Sequence, residues 1–228
     1  MERVAGYQPI ENYGVIGDLN TVALVGLNGS IDFLCFPDFD SPTVFAALLD
    51  KTKGGFFRIS PKSADRKEKQ LYLPDTCVLL TRFLSKEGIA EVTDFMPVET
   101  MSVGKELVRT ATCVHGNVEL VMECCPRFDY ARASHKIVRR SDREVLFVSS
   151  VENVTLRFVA TVPLEVDGSD VHASFCLRTG EKATFMFEYL TEDDPGELDL
   201  DKFAEKSLYA TIGYWKDWTG RSQYRGRW

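Results

Sequence analysis

Short apolar runs with a period of two, parted every few residues by tight polar tips, constrain this chain more than any other feature. Thr155 to Thr161 (TLRFVAT) alternates apolar and polar positions as a half-buried strand requires. Phe56–Ile59, Leu71–Leu73, Cys77–Leu84 and Ile89–Phe95 repeat the pattern, the last two joined across Lys86-Glu87-Gly88. Leu107–Val114 and Val118–Cys124 read as a hairpin around His115-Gly116-Asn117. Ile137–Arg140 and Val145–Val151 flank Ser141-Asp142-Arg143, and Val171–Leu177 and Lys182–Tyr189 form a last pair around Thr179-Gly180-Glu181. Residues 62–69 (KSADRKEK) read as a charged surface connection without structure. A dozen or more strands in this arrangement predict a mainly-β chain, an antiparallel β-sandwich over residues 1–190 with short helices added.

Tyr13 to Asp50 is the densest stretch. Ala23-Leu24-Val25 suits a buried strand, Leu27-Asn28-Gly29-Ser30 a turn, and Ile31 to Phe36 the returning strand that Pro37 ends. Ser41 before Pro42 has the form of a helix cap, so a short helix is expected over 43–49, burying Phe45, Leu48 and Leu49.

Beyond residue 190 the pattern changes. Residues 191–197 (TEDDPGE) make an acidic linker. Leu200, Phe203, Leu208, Ile212 and Trp215 then recur at helical spacing, which predicts an amphipathic helix over 200–219. All three tryptophans, Trp215, Trp218 and Trp228, lie near this end.

A net charge of −7 and the lack of a basic stripe argue against a nucleic-acid partner. The densest basic run, Lys136 to Arg143, reads as a solvated hairpin tip. No run reaches the roughly 18–20 apolar residues of a membrane helix, and residues 1–12 lack a secretory pattern, so a cytoplasmic location is expected. Six cysteines lie in apolar runs without Cys-x-x-Cys spacing and are expected to be reduced. The scattered His115, His135 and His172 give no ligand spacing, so no metal or other cofactor is expected.

The run IGDLNTVALVGLNGSIDFLCFPDFDSP (Ile16–Pro42) resembles the amino-terminal domain of the trehalase- and glucoamylase-like proteins of glycoside hydrolase family 15. Phe33 stands where that pattern has tryptophan, and Asn28 where it has aspartate. Val92–Pro97, Leu107–Thr110, Pro126–Tyr130, Tyr214–Trp218 and Tyr224–Trp228 match in the same order, so the resemblance spans the chain. It implies a β-sandwich followed by a catalytic α/α-barrel, with residues 191–228 forming the linker, its helix and a truncated start of that barrel. It also implies hydrolysis of an α-linked glucoside, trehalose or maltodextrin, with inversion and without an organic cofactor.

Such hydrolysis needs two carboxyl groups flanking the scissile bond. The family places them in the barrel, and none of its catalytic motifs occurs here, so no catalytic residue is assigned. Asp18, Asp32, Asp38 and Asp40 each have a local structural role available in turns, strands or caps. No calcium-type acidic loop, Gly-x-Ser-x-Gly or phosphate-binding glycine loop occurs. Pro126-Arg127-Phe128-Asp129-Tyr130 fits either a sugar-binding bend or a salt-bridged sandwich edge.

The resemblance assigns Asp18, Phe36, Asp38, Asp40 and Ser41 to a cleft rim that an α-glucan or trehalose would share. It assigns Ile212, Trp215, Trp218, Tyr224 and Trp228 to docking on the barrel, whether in cis or in trans. With that cover absent, self-association through the C-terminal segment is expected. The chain is thus expected to be a non-catalytic supporting domain, or else a stand-alone carbohydrate-binding or regulatory module.

Overall fold

The computed structural model describes residues 7–98, 105–151, 154–190, 196, 198–224 and 226. Among them run β1 (Tyr13–Gly17), β2 (Val22–Gly26), β3 (Ser30–Cys35), β4 (Thr43–Phe45) and β5 (Phe56–Pro61). Next come β6 (Arg66–Tyr72), β7 (Leu79–Ser85), β8 (Gly88–Phe95), β9 (Lys105–Cys125) and β10 (His135–Arg139). β11 (Glu144–Ser149), β12 (Thr155–Ala160), β13 (Glu165–Asp167), β14 (Asp170–Arg178) and β15 (Lys182–Leu190) precede one long helix, α1 (Leu200–Gly220). The strands form the antiparallel sandwich expected from the sequence.

β9 organises it. Its first half pairs with β8 and β15, and its second half with β5 and β14. One sheet therefore runs β1-β2-β3-β5-β9-β14-β13 with β4 beside β3, the other β6-β7-β8-β9-β15-β12-β11-β10. The expected hairpin at His115-Gly116-Asn117 is not formed. Gly116 has φ +83°, and a Cβ there would lie 2.3 Å from the Glu87 carbonyl oxygen. The glycine lets the strand irregularity against β8 fit while β9 leaves one sheet for the other. β14 and β15 likewise do not pair with each other, because each continues a different half of β9.

The sheets face each other across phenylalanines. Phe57 of the first meets Phe158 of the second edge-on at 5.4 Å, and Phe45 meets Phe187 at 5.6 Å. Among them sits a buried ion pair. Asp94 and Arg109 are directly opposed on β8 and β9, and both side chains are 0% exposed. Arg109 Nε donates to Asp94 Oδ1 at 2.8 Å, Nη1 to the Phe57 carbonyl at 2.5 Å and Nη2 to the Gly29 carbonyl at 2.8 Å. One guanidinium thus ties the second sheet to the backbone of the first.

Helix α1 covers the outer face of the second sheet. Phe95, Val108, Val159 and Met186 point away from the phenylalanine core and meet Leu200 and Ala204. Asp199 caps the helix by accepting from the Lys202 N–H at 3.2 Å. The expected helix is present, but its buried line is Leu200, Ala204, Ser207, Thr211 and Trp215. Small residues at 204, 207 and 211 let it approach the sheet, while Phe203, Leu208 and Ile212 flank the contact half-buried.

Two further expectations are corrected. Residues 43–49 do not form a helix: β-branched Thr43 and Val44 with Phe45 pair as β4 on β3, and turns follow. Residues 66–69 are not structureless but begin β6, an edge strand whose charged side chains protect its open side.

All six cysteines are free. Cys124 is fully buried, and burial, with the neighbouring Cys125 next, pushes its thiol well above the ordinary range. Cys176 is exposed. Iodoacetamide should therefore label Cys176 first in the native protein and all six thiols after unfolding without reductant. Two or more protected sulfurs in the unfolded sample, read by mass spectrometry, would contradict this.

Candidate functional site

The structure brings the two predicted rim loops together. Asp18 Oδ1 accepts from the backbone N–H groups of Asn20 and Thr21, both at 2.8 Å. Thr21 Oγ1 donates to the Cys35 carbonyl at 2.5 Å, and the Phe39 N–H donates to the Asn20 carbonyl at 2.8 Å. Asp38 and Ser41 close the second loop, the Asp38 N–H donating to Ser41 Oγ at 3.1 Å.

The loops meet, but their predicted side chains do not converge on a ligand. Asp18 is 6% exposed and occupied by its own turn, and Phe36 is 2% exposed, in the core against Phe187. Asp38 and Asp40 are exposed, with Asp38 3.5 Å from the Lys105 ammonium. Asp32 is held by Tyr13 Oη at 2.7 Å and Ser30 Oγ at 2.5 Å. Burial first, and Asp32 second, hold the Tyr13 phenol above its ordinary range.

Two residues absent from the predicted rim, Leu19 and Phe39, are the exposed apolar groups of these loops. With Val15, Tyr72, Cys77 and Trp215 they line an open, mainly apolar groove of about 350 Å³. Leu19 has φ +76°, a left-handed position that turns it out of the strand path. The available sequence signal was an apolar residue standing alone in each polar loop, DLN and DFD.

The groove also gathers part of the predicted docking set. Trp215 is 8% exposed and meets Trp218 edge-on at 6.0 Å. Ile212 packs on the helix-covered face of the second sheet. Trp218 and Tyr224 are 54% and 68% exposed, and Trp228 lies outside the described residues.

The Pro126–Tyr130 motif forms a separate structural joint. Its arginine does not pair with its aspartate: Arg127 chelates Asp170 of β14, Nη1–Oδ1 2.5 Å and Nη2–Oδ2 3.0 Å. Asp129 binds Arg132 at 2.6 Å, and Phe128 is buried. Asp129, Tyr130 and Ala131 make a left-handed turn, with φ 51°, 56° and 62°. Its Tyr130 N–H donates to Thr43 Oγ1 at 3.1 Å, which holds the turn against β4.

Beside this joint, the ligand atoms of Cys125, Asp170 and His172 lie within 4.8 Å of one another. Their chemistry suits a cation poorly. Asp170 is neutralised by Arg127, and burial, then Asp170, push the Cys125 thiol up to about 12.

The family is settled by comparison with known proteins. The model of the family described as "Trehalase-like, N-terminal" matches residues 4–186, and this chain belongs to that family. The trehalase of Mycolicibacterium smegmatis is 28% identical over 93% of this chain, which covers 34% of that protein. That of Thermoplasma volcanium is 29% identical over 98% of the chain, which covers 36% of it. Trehalase 1 of Sulfolobus acidocaldarius is 34% identical over 93% of the chain, which again covers 34% of the relative. The chain thus spans about a third of the length of these relatives. Among solved structures, a putative kojibiose phosphorylase from the human microbiome aligns over 89% of the chain and 33% of its own, at 9% identity and TM-score 0.40.

Proposed function

We propose that this chain is the non-catalytic N-terminal domain of a glycoside hydrolase family 15-like α-glucoside hydrolase of trehalase or glucoamylase type. Its work is to support a catalytic α/α-barrel, in cis or in trans, and to form one rim of that barrel's cleft. The observation that carries this reading is the groove, where both rim loops and the end of α1 meet around an apolar lining. Such a lining suits the burial of another protein surface. Asp18 is occupied by its own turn, Asp32 by Tyr13 and Ser30, and Asp38 faces Lys105, so these three carboxylates form no acid–base pair of the kind glycosidic hydrolysis needs.

Water is the only co-reactant, and trehalose or an α-glucan would bind chiefly on the barrel, touching this domain at Asp38, Asp40 and Ser41. Free thiols in the buried strands support a reducing, cytoplasmic setting. A stand-alone carbohydrate-binding module is favoured less, because the groove lacks the array of free polar groups a sugar requires.

The test is substitution. This chain should replace the matching third of Sulfolobus acidocaldarius Trehalase 1 and give a fusion that releases glucose from trehalose. A fusion that is folded and inactive would count against the supporting role.

The exposed aromatics predict a second behaviour. Trp218, Tyr209 and Tyr224 are 54%, 69% and 68% exposed around the helix end. Sedimentation should show concentration-dependent self-association, relieved by deleting residues 209–228 and also by Trp218→Lys. A monomer at every concentration would remove this expectation.

A further inference from the structure

One residue lining the groove, Trp215, carries a hydrogen-bond donor that the fold leaves unused. Trp215 is 8% exposed, and its indole Nε1–H is a buried polar side-chain atom without an acceptor. A buried donor without a partner is costly, and native proteins seldom keep one unless something arrives to meet it.

The other side-chain hydroxyls lining the groove are committed. Tyr72 Oη accepts from the Val15 N–H at 2.7 Å and donates to the Val15 carbonyl at 3.0 Å. Thr21 donates to the Cys35 carbonyl, and Thr76 donates to the Leu73 carbonyl while accepting from the Val78 N–H. Burial raises the Cys77 pKa, so that residue presents a neutral, weakly polar thiol. Among the described lining residues, the walls are apolar and one side-chain donor stays unused, the buried indole N–H of Trp215.

We propose that this groove receives an apolar side chain from a segment of the catalytic domain, whose carbonyl oxygen accepts the hydrogen bond from Trp215 Nε1. The proposal rests on the supporting role argued above and names its contact. A disaccharide is a poor occupant, because its many hydroxyls would find one donor and be stripped of water for the rest. A polypeptide supplies what the site lacks: one large apolar group beside one acceptor. Leu19 and Phe39, 56% and 59% exposed, stand on the groove wall where such a segment would cover them. The trehalase relatives contain such a segment's source, since about two thirds of their length lies outside the match.

Two measurements test this. In the first, the ¹⁵N-labelled chain is titrated with N-phenethylacetamide, which joins an apolar ring to one carbonyl, and separately with trehalose. Trp215→Phe identifies the indole resonance. The amide should move the Trp215 N–H downfield, and Leu19→Asp should abolish the shift. Aspartate tolerates the left-handed conformation at 19, so the fold should be retained. No shift with the amide, or a shift with trehalose, overturns the groove as an acceptor site.

In the second, the chain is mixed with the portion of Sulfolobus acidocaldarius Trehalase 1 outside the match. Trp215→Phe should weaken the complex about fivefold, the value of one hydrogen bond, and Leu19→Asp by about tenfold or more. Binding indifferent to both substitutions overturns the groove as the contact and leaves the supporting role standing. If the native chain fails to bind while the amide still shifts the indole, the supporting role fails, and the catalytic domain fails with it as the occupant.

Discussion

Replacing Arg109 with alanine is expected to lower the unfolding free energy by about 3–5 kcal/mol, the cost of stranding one member of a buried ion pair. Asp94 would stay at 0% exposure without its counter-charge. The carbonyls of Phe57 and Gly29 would each lose the guanidinium, and with it the tie between the sheets, although the Ile59 N–H still donates to Gly29. Against a typical domain stability of about 5–15 kcal/mol, that is a large share. Asp94→Ala should cost a similar amount by stranding the arginine. The double variant Asp94→Leu/Arg109→Met should cost less than the two single losses added, because no charge is left buried. Urea denaturation at constant m-value measures all three. A loss below about 1 kcal/mol in either single variant would mean that the pair does not join the sheets.

Phe158→Ala should have an effect of the same size. Phe158 is 0% exposed and lies between 5.4 and 6.3 Å from the rings of Phe57, Phe147, Phe185 and Phe187. Deleting it opens a cavity that four rings cannot all move to fill, at about 3–5 kcal/mol. Phe158→Leu keeps most of the volume and should cost about 1–2 kcal/mol. Thermal and urea unfolding decide the point. Equal losses for the two variants would show that ring contacts, rather than filled volume, set the energy here.

The sequence carried the sandwich because period-two alternation reports which face of a strand is covered. It misled where a local signal had two physical meanings. Gly116, in a polar tip, reads as a hairpin turn, yet it serves as a strand irregularity that lets β9 pass between sheets. That difference depends on partners far along the chain. Ser41-Pro42 has the form of a helix start, but the β-branched residues after it find an open edge on β3. The charged run at 66–69 hid an edge strand because exposed edges favour charge.

Helix α1 was legible from its apolar spacing. Its contact face was not, since the deepest positions carry alanine, serine and threonine chosen for close approach. The motif pieces around Asp94 and Arg109 were visible only as matching segments, and cross-strand pairing reveals them as one ion pair. At the candidate site the two loops lie side by side, but the exposed apolar walls of the groove there are Leu19 and Phe39. Asp18 is held by its own turn and Asp32 by Tyr13 and Ser30, and such aspartates look the same in sequence whether they bind a ligand or their own fold.

The claim that this domain supports chemistry without performing it has a direct test in glucose release from trehalose by the isolated chain. The account predicts no release above a buffer control. Turnover that disappears in Asp18→Asn or Asp32→Asn would contradict it, by showing that a carboxylate assigned here to a structural hydrogen bond does the chemistry.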